Sequence, residues 1–317
     1  MDRTRLAPSP TGALHLGNAR TFLVNWLLAR RFGWSILLRI EDLDGPRNKP
    51  GADRGLIQDL QFLGLDWDQG PVYQSTRTRE YQTAIESLLK RGLAYPCVCS
   101  RREVDLASSA PHAEDGSAIY PGVCRGRFAS MEQAARESGR SPAIRFAAPD
   151  RDVQFTDGFA GRQSLNVARR LGDFVIAKSD AAAYQLAVVV DDLDAGITDV
   201  VRADDLLEST FRQILLYHAL GFAEHIPRYV HLPLVVGADG RRLAKRHGDT
   251  RIARYRDLGV KRSRLLALLA RWCGIQSPDL EIDDPRQLIG RFDLRTISAS
   301  PVVFTADDDA WLRQGTG

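Results

Sequence analysis

The chain has 317 residues, of which 44% are hydrophobic and 26% are charged, a composition typical of a globular protein with a sizeable core and room for two domains. Its net charge of +3 comes from 43 basic and 40 acidic residues, so bulk charge does not predict a polyanionic partner. No apolar run reaches the ~18 residues of a membrane span, and no secretory signal is visible, which predicts a cytoplasmic protein without a membrane anchor.

The first stretch of interest predicts a strand, a loop and a helix. Arg5-Leu6-Ala7 runs into the turn residues 8–12, and an amphipathic pattern begins at Asn18. A glycine-containing loop at a helix N-terminus presents free N–H groups and the positive end of the helix dipole to a bound phosphate. His15 and Gly17 lie where that phosphate would bind. An ordinary strand-to-helix loop is the alternative interpretation.

A second strand, predicted over residues 34–40, ends at the acidic sequence Glu41-Asp-Leu-Asp44. Ligands of open parallel sheets bind beyond the carboxyl ends of the strands, so Glu41 is a candidate for binding a substrate amine. An acidic turn is the alternative. Helical patterns over residues 53–63 and 78–91 complete an order of alternating strands and helices, which indicates a parallel sheet.

Three of the four cysteines, Cys97, Cys99 and Cys124, lie close together in the sequence. In a reducing compartment this grouping favours a metal site over disulfides. Three thiolates and a fourth donor would complete a structural, tetrahedral Zn²⁺ site that pins a polar insertion. The residues themselves leave His112 and Tyr120 as candidates for the fourth ligand, and three buried cysteines without a metal are the alternative.

After short strand-like runs at residues 143–146 and 174–177, the apolar run 184–190 predicts a strand buried on both faces. Another strand is predicted over residues 197–202, so Tyr184 and Arg202 should lie near strand ends. Residues 204–220 show the pattern of an amphipathic helix. Residues 229–236 predict a further strand, and the last part of the chain predicts a small helical region.

Basic residues are concentrated between Arg241 and Arg264. This run could contact RNA or a nucleotide, or it could be a solvated face.

Two short motifs, His15-Leu-Gly-Asn18 and, about 230 residues later, Leu243-Ala-Lys-Arg246, together resemble the HIGH and KMSKS signatures of class I aminoacyl-tRNA synthetases. The longer strings at residues 7–17, 39–44 and 245–248 resemble the glutamyl branch of that class. Arg242 and Ala244 depart from the usual second signature, whereas its ATP-contacting lysine is kept as Lys245.

The resemblance implies an α/β fold with a Rossmann-type parallel sheet, an inserted zinc-bearing subdomain and a small helical C-terminal region. It also implies that the two signatures flank ATP and its Mg²⁺, and that the α-carboxylate of L-glutamate attacks the α-phosphorus. His15 and Lys245 would be catalytic. ATP would be bound by His15, Gly17 and Lys245, and glutamate by Arg5, Ala7, Ser9, Glu41, Tyr184 and Arg202. Arg5 would pair with the side-chain carboxylate and Glu41 with the ammonium.

The segment Asp205-Leu-Leu-Glu-Ser-Thr-Phe-Arg-Gln-Ile214 resembles the truncated paralogues of that branch, the glutamyl-Q tRNA(Asp) synthetases. That family activates glutamate without tRNA and attaches it to the queuosine base in the anticodon of tRNA(Asp). Its zinc pattern, Cys-x-Cys followed by Tyr-x-x-x-Cys, implies Tyr120 as the fourth ligand.

The implied organisation is a Rossmann domain in two halves, residues 1–95 and 181–258, an inserted zinc-bearing subdomain, 96–180, and a helical region, 259–317, without an anticodon-binding domain. A monomer is expected. The string Asn18-Ala-Arg-Thr21 is closer to the full-length glutamyl-tRNA synthetases, so charging of a tRNA 3′ end is the alternative activity. A non-catalytic relative that binds glutamate or RNA is a third hypothesis.

Overall fold

The computed structural model describes residues 1–45, 48–107, 119–178, 181–243, 248–275 and 282–314. Its strands, numbered along the chain, are β1 (Arg3–Leu6), β2 (Ser35–Ile40), β3 (Gln69–Tyr73), β4 (Ala94–Cys97), β5 (Ala143–Phe146), β6 (Asp152–Asp157), β7 (Gly161–Asn166), β8 (Phe174–Lys178), β9 (Ala181–Ala182), β10 (Asp199–Ala203), β11 (Arg228–Leu232), β12 (Val235–Val236) and β13 (Val302–Val303). Its helices are α1 (Leu16–Phe32), α2 (Ala52–Phe62), α3 (Thr78–Lys90), α4 (Arg101–Ala107), α5 (Met131–Ser138), α6 (Val167–Arg170), α7 (Tyr184–Asp194), α8 (Leu207–Leu220), α9 (Ile252–Asp257), α10 (Arg262–Trp272) and α11 (Ala306–Arg313).

Parallel strands form the centre of the molecule. β1, β2 and β3 pair in parallel, and so do β10 and β11. The Thr198 N–H donates to the Arg3 carbonyl over 2.9 Å, and the Arg228 N–H donates to the Thr198 carbonyl over 2.9 Å. Strands β10 and β11 therefore continue the arrangement beside β1, and the predicted parallel α/β fold is confirmed.

Helices cover both faces of these strands. One apolar core packs α1 and α10 against β1 and β2, and a second core contains side chains of α3, α7 and α8. β2 is almost continuously apolar and five of its six residues are buried, which is typical of a parallel strand between two helical layers. α1 ends at Gly33, whose φ of 68° gives the left-handed conformation that stops a helix.

An insertion between α3 and α7 has a different character. β4, β5, β8 and β9 form an antiparallel sheet, and β6 and β7 form a separate hairpin. A small third core lies here, made of side chains around the clustered cysteines. Other apolar side chains of the insertion, among them Ile144, Phe146 and Ile176, belong to the second core.

The prediction of a strand over residues 184–190 is wrong, because this run forms α7. Leu186 through Asp192 are all buried in the helix. An apolar run of this length has no polar positions to reveal its period, so a buried helix and a buried strand look alike in sequence. Tyr184 is therefore the first residue of a helix, not a residue near a strand end.

The predicted strand over residues 229–236 is divided into β11 and β12, with Pro233 between them. Proline has no N–H for the sheet, so it interrupts the pairing. β12 pairs in parallel with β13, which shows that the C-terminal region contains a short strand as well as helices. No helix within the described ranges has the length and apolar content needed to cross a membrane.

Candidate active site and cysteine cluster

The two segments that carry the synthetase-like motifs are adjacent in space. The Leu16 N–H donates to the Thr250 carbonyl over 3.0 Å, and the Ile252 N–H donates to the Leu14 carbonyl over 2.8 Å. Residues 244–247, including the predicted catalytic Lys245, lie outside the described residues. On either side of them, Leu243 and Gly248 line the same cleft as His15, with a volume of about 1090 Å³.

His15 lies immediately before α1, at the helix N-terminus that faces this cleft. Burial, and secondarily the charge of Arg242, lower the pKa of His15 to about 4, so its imidazole is neutral near pH 7. A neutral imidazole offers one donor and one acceptor. A Cβ at Gly17 would lie 3.3 Å from His15 Nδ1, so glycine at this position leaves room for the imidazole.

Four ionisable side chains form what we call the charge cluster: Arg5 on β1, Arg39 on β2, Glu41 just after β2, and Asp192 on α7. Arg39 is 1% exposed; its Nη1 donates to Asp192 Oδ1 over 2.6 Å and its Nη2 to Glu41 Oε1 over 3.2 Å. Arg5 Nε lies 3.4 Å from Asp192 Oδ1. The cluster therefore contains two basic and two acidic side chains. Asp191 Oδ2 also lies 3.9 Å from Arg39 Nε, and this carboxylate is paired with Arg77 Nε over 2.7 Å.

The predicted glutamate-binding residues are brought together around this cluster. Burial raises the pKa of Glu41, an effect opposed by the charges of Arg39 and Arg5. Burial also raises the pKa of Tyr184, and the charges of Glu41, Arg202 and Arg5 act on its hydroxyl. Four residues from different parts of the chain therefore interact electrostatically with one another, namely Arg5, Glu41, Tyr184 and Arg202.

The loop after β1 is fixed to the end of β2. The Ser9 hydroxyl donates to the Glu41 carbonyl over 2.9 Å, and the Glu41 N–H donates to the Pro8 carbonyl over 3.0 Å. Ala7 begins the same loop. These contacts place Ala7 and Ser9 next to the charge cluster.

Arg202 on β10 has a dense set of partners. Its Nε donates to His231 Nε2 over 3.0 Å, and its Nη2 donates to Thr210 Oγ1 over 2.7 Å and to Gln213 Oε1 over 2.9 Å. Its guanidinium also lies 5.5 Å from the centre of the Tyr229 ring. Nη1 is buried and has no acceptor among the described residues, so it is the one nitrogen left to bind a ligand.

The clustered cysteines lie together in the inserted antiparallel sheet. Cys97, Cys99 and Cys124 are free thiols whose Sγ atoms lie within 4.8 Å of one another. The Tyr120 hydroxyl lies 3.5 Å from Cys97 Sγ and 3.6 Å from Cys99 Sγ. We call these four residues the thiol cluster. His112 lies outside the described residues.

The thiol cluster fits a tetrahedral metal ion by its donor set. Burial raises the pKa of the Cys99 thiol to about 12, so this thiol keeps its proton unless a cation replaces it. Arg145 Nε lies 3.3 Å from Cys97 Sγ, and the Arg145 guanidinium lies 3.9 Å over the Tyr120 ring. Burial and the hydrogen bonds with the thiols raise the pKa of Tyr120, so its hydroxyl also keeps its proton unless a cation replaces it.

Sequence reasoning missed several residues of the site. Arg39 is a charged residue inside an apolar strand, a signal that it needs buried partners. Asp192 ends the apolar run that was predicted to be a strand, so its position on the inner side of a helix was not expected. His231 and Asp157 gave no signal by spacing, because they belong to different segments that meet only in the fold.

The chain belongs to the class I tRNA synthetases: residues 2–310 match the family model described as tRNA synthetases class I (E and Q), catalytic domain. Within this class, it is 46% identical to a glutamyl-Q tRNA(Asp) synthetase of Symbiobacterium thermophilum, over 98% of this chain and 98% of that relative. The predicted resemblance to the glutamyl-Q tRNA(Asp) synthetases is therefore confirmed.

Relatives of the longer kind are also similar. A glutamate–tRNA ligase of Geobacter sulfurreducens is 40% identical over 98% of this chain, which spans 65% of the ligase. The crystal structure of a glutamate tRNA ligase from Elizabethkingia meningosepticum, in complex with its amino acid, matches 98% of this chain and 68% of that one, with 29% identity and a TM-score of 0.80. The fold class predicted from the sequence is thereby confirmed.

Proposed function

We propose that this protein activates L-glutamate with ATP, without tRNA, and transfers the glutamyl group to the queuosine base in the anticodon of tRNA(Asp). The observation that carries the activation step is the charge cluster beside the loop of His15. Glutamate has two carboxylates and one ammonium, so its site needs cations at two positions and an anion at a third. Arg5, Arg202 and Glu41 supply this combination.

In this proposal Arg5 pairs with the side-chain carboxylate and Glu41 with the ammonium. Arg202 contributes its free Nη1, and Tyr184 closes the pocket beside it. Ala7 and Ser9 line the wall formed by the first loop. Because Asp192 and Arg39 already hold Arg5 and Glu41 in place, little side-chain ordering is left for the moment of binding.

ATP is proposed to bind at the start of α1, held by His15, Gly17 and Lys245, with Mg²⁺ neutralising phosphate charge. An oxygen of the glutamate α-carboxylate attacks the α-phosphorus, the bond to the bridging oxygen breaks, and pyrophosphate leaves. Negative charge develops on the phosphate oxygens, so catalysis consists of positioning and electrostatic stabilisation. Neutral His15 acts as a hydrogen-bond donor to these oxygens, and Lys245 supplies the positive charge.

We also propose that Cys97, Cys99, Tyr120 and Cys124 hold a structural Zn²⁺. The donor set and the mutual distances in the thiol cluster support this ligand assignment, with His112 as the alternative fourth ligand. The metal would tie β4 to the segment around Tyr120 and stabilise an insertion with a small core.

Charging of a tRNA 3′ end is the second candidate function, favoured by the 40% identity to a glutamate–tRNA ligase. The queuosine acceptor is supported by the higher identity to the relative named for it, over 98% of that relative's length. A non-catalytic role is disfavoured because a glutamate sensor does not need the two ATP-binding motifs. The division into four segments, a monomeric state and a cytoplasmic location remain predictions.

The deciding experiment has two stages. Glutamate-dependent exchange of pyrophosphate into ATP, measured without tRNA, should be positive; absence of exchange with and without tRNA in folded protein would favour a sensor. Labelled glutamate is then offered with purified tRNA(Asp), with and without queuosine, and with tRNA(Glu). Label on queuosine-bearing tRNA(Asp) alone supports the proposal, and label on tRNA(Glu) alone refutes the proposed acceptor.

The role of Lys245 is tested by Lys245→Ala. The exchange rate should fall by about 10²–10³-fold, because the charge acts mainly in the transition state, whereas the Kd of glutamate should stay within about twofold. Lys90→Ala, an exposed lysine at the end of α3, is the control. Equal losses in rate and in glutamate binding would contradict this role.

A further inference from the structure

A continuous buried chain of polar side chains connects Arg202 to the inserted hairpin. Arg202 Nε donates to His231 Nε2 over 3.0 Å, and the opposite ring nitrogen, Nδ1, lies 2.6 Å from Asp157 Oδ2. Arg202, His231 and Asp157 are 5%, 1% and 2% exposed. Arg202 and His231 lie on the neighbouring strands β10 and β11, directly opposite each other in register, whereas Asp157 ends β6 in the insertion.

Asp157 is a fixed carboxylate. Its Oδ1 accepts the backbone N–H groups of Phe159 at 2.9 Å, Ala160 at 2.8 Å and His231 at 3.1 Å. Burial acts to raise its pKa, but the hydrogen bonds from His231, Ala160 and Phe159 outweigh burial and the pKa is lowered. A carboxylate in this state can only accept, so the hydrogen on His231 must be on Nδ1.

The tautomer of His231 follows from this network. Burial lowers the pKa of His231, so the imidazole is neutral and carries a single N–H, the one directed at Asp157. Nε2 then has a lone pair that accepts the N–H of Arg202 Nε, and the Thr210 hydroxyl lies 3.0 Å from the same nitrogen. A protonated imidazole, or the other tautomer, would set an N–H of His231 against the N–H of Arg202.

The hairpin that carries Asp157 is seated closely on β11. The Gly158 N–H donates to the Tyr229 carbonyl over 2.8 Å, and a Cβ at Gly158 would lie 2.9 Å from Val230 Cγ2. A larger residue here would have to displace the Val230 side chain. Asp157 is thus held against His231 by the backbone as well as by its own hydrogen bonds.

We propose that Asp157 and His231 are positioning residues for the glutamate site: the inserted hairpin fixes the tautomer of His231, and His231 fixes the orientation of Arg202. With Nε held by His231 and Nη2 held by Thr210 and Gln213, Nη1 is the nitrogen that remains for the amino acid. This inference rests on the proposed function, in which Arg202 contacts glutamate. It gives the β6–β7 hairpin a role in substrate affinity.

The main test compares Asp157→Asn with Asp173→Asn in the 317-residue chain. The new amide at position 157 can take two orientations. In one, its NH₂ group faces the backbone N–H groups that Asp157 Oδ1 accepts; in the other, it faces the N–H of His231 Nδ1. Each orientation places two donors against each other. We expect the KM for glutamate in pyrophosphate exchange to rise about tenfold, with the KM for ATP within about twofold.

Asp173 is the matched control because it is also a buried carboxylate of the insertion, bonded to Arg125, Tyr95 and the Ala148 N–H, and it has no contact with Arg202. Asp173→Asn should lower the melting temperature while leaving the KM for glutamate within about twofold. A similar KM change in both variants, or none in Asp157→Asn, overturns the inference.

A second pair of variants separates positioning from space-filling. His231→Gln places an amide oxygen near the position of Nε2 and keeps an acceptor for Arg202, whereas His231→Leu removes it. We expect the KM for glutamate to change by less than about threefold in the first and by about tenfold or more in the second. Equal effects in the two variants would show that His231 only fills space, which overturns the inference.

Arg202→Lys distinguishes failure of this inference from failure of the proposed function. Lysine keeps the charge but loses the fork of donors. If glutamate-dependent exchange is absent in the unsubstituted protein, the proposed function fails. If exchange is present and the KM for glutamate rises in Arg202→Lys but not in Asp157→Asn, only the inference fails.

Discussion

The charge cluster and the thiol cluster are both largely buried groups of four polar side chains. They differ in how the negative charge of their acidic groups is balanced. In the charge cluster, Arg5 and Arg39 are paired with Glu41 and Asp192, so the group is compensated as it stands. In the thiol cluster, the three cysteines and Tyr120 carry no charge in their protonated forms. Arg145 Nε lies 3.3 Å from Cys97 Sγ, and Arg140 interacts electrostatically with Cys99, but two arginines do not balance three thiolates, which would need a bound cation.

This difference indicates that the charge cluster is stabilised by its own ion pairs, whereas the thiol cluster would be stabilised by a bound metal ion. The charge cluster is preorganised by its own ion pairs and should hold its geometry before glutamate arrives. The thiol cluster should depend on metal, and the folding of the insertion should depend on it in turn. The charge cluster therefore combines stability with specificity, whereas the thiol cluster contributes stability alone.

The largest effect is expected from breaking the charge cluster with Arg39→Met. Removing the arginine leaves Asp192 and Glu41 buried without their shared partner, so the free energy of unfolding should fall by about 3–5 kcal/mol. Urea denaturation measures this. Arg169→Met removes the partner of Asp150 in a pair whose side chains are 74% and 59% exposed, and should cost less than about 1 kcal/mol. Similar losses in both variants would contradict the contrast between buried and exposed pairs.

A somewhat smaller effect is expected from Cys124→Ser. Metal analysis should find about one Zn²⁺ per unsubstituted chain and a much lower content in the variant, since serine is a poor zinc ligand. The melting temperature should fall by roughly 5 °C, equivalent to about 2 kcal/mol. Cys273→Ser, a buried cysteine outside the thiol cluster, should leave the zinc content unchanged. A zinc content that is unaffected by Cys124→Ser would refute the ligand assignment.

Glu41→Gln should separate affinity from stability within the charge cluster. The KM for glutamate should rise about tenfold, because the ammonium loses its counter-charge. Burial raises the pKa of Glu41 in the folded protein. The carboxyl therefore loses its proton less readily in the folded state than in the unfolded state. As the pH rises from the unfolded-state pKa through the native pKa, this group lowers the free energy of unfolding.

The glutamine variant should therefore be at least as stable as the unsubstituted protein at pH 7.5. At pH 5 the difference should be smaller, because more of the native carboxyl is protonated there. Thermal melts at the two pH values, with Glu41→Asp as a charge-retaining control, measure this. A variant that is clearly less stable at pH 7.5 would show that Glu41 stabilises the fold.

The smallest effect concerns pH and His15. Because burial lowers the pKa of His15 to about 4, the imidazole is neutral at pH 6 and at pH 8, and its titration should change the exchange rate by less than about twofold over that range. Arg242→Gln removes only the smaller of the two causes that lower the pKa of His15. The exchange rate of this variant should therefore also be nearly constant between pH 6 and pH 8. A step near pH 6.5 that disappears in His15→Asn would contradict a neutral His15.

Much of the fold and the site could be predicted from local sequence. The strand, loop and helix around Arg5 to Phe32, the parallel sheet and the grouping of Cys97, Cys99 and Cys124 all followed from patterns a few residues long. Such patterns are readable because glycine, proline and helical periodicity act through neighbouring residues. The resemblance to class I synthetases added what spacing does not reveal, namely the connection between His15 and the distant Lys245.

The conformation of residues 184–194 was decided by tertiary packing. Their apolar run favours burial but not a particular secondary structure, and only the space between α3 and α8 makes it a helix. That choice turns Asp191 and Asp192 toward the buried arginines. A strand would have sent adjacent side chains to opposite faces of the sheet.

The sequence by itself determined the class of enzyme, the residue types of the site and the loop on which His15 lies, because these depend on short motifs. Only the tertiary structure decided which buried polar groups are partners: Arg39 with Asp192, Arg202 with His231, and His231 with Asp157. The partners in these pairs are separated by 29 to 153 residues. Hydrogen bonds between buried polar groups require defined positions in space, and no pattern of neighbouring residues specifies those positions.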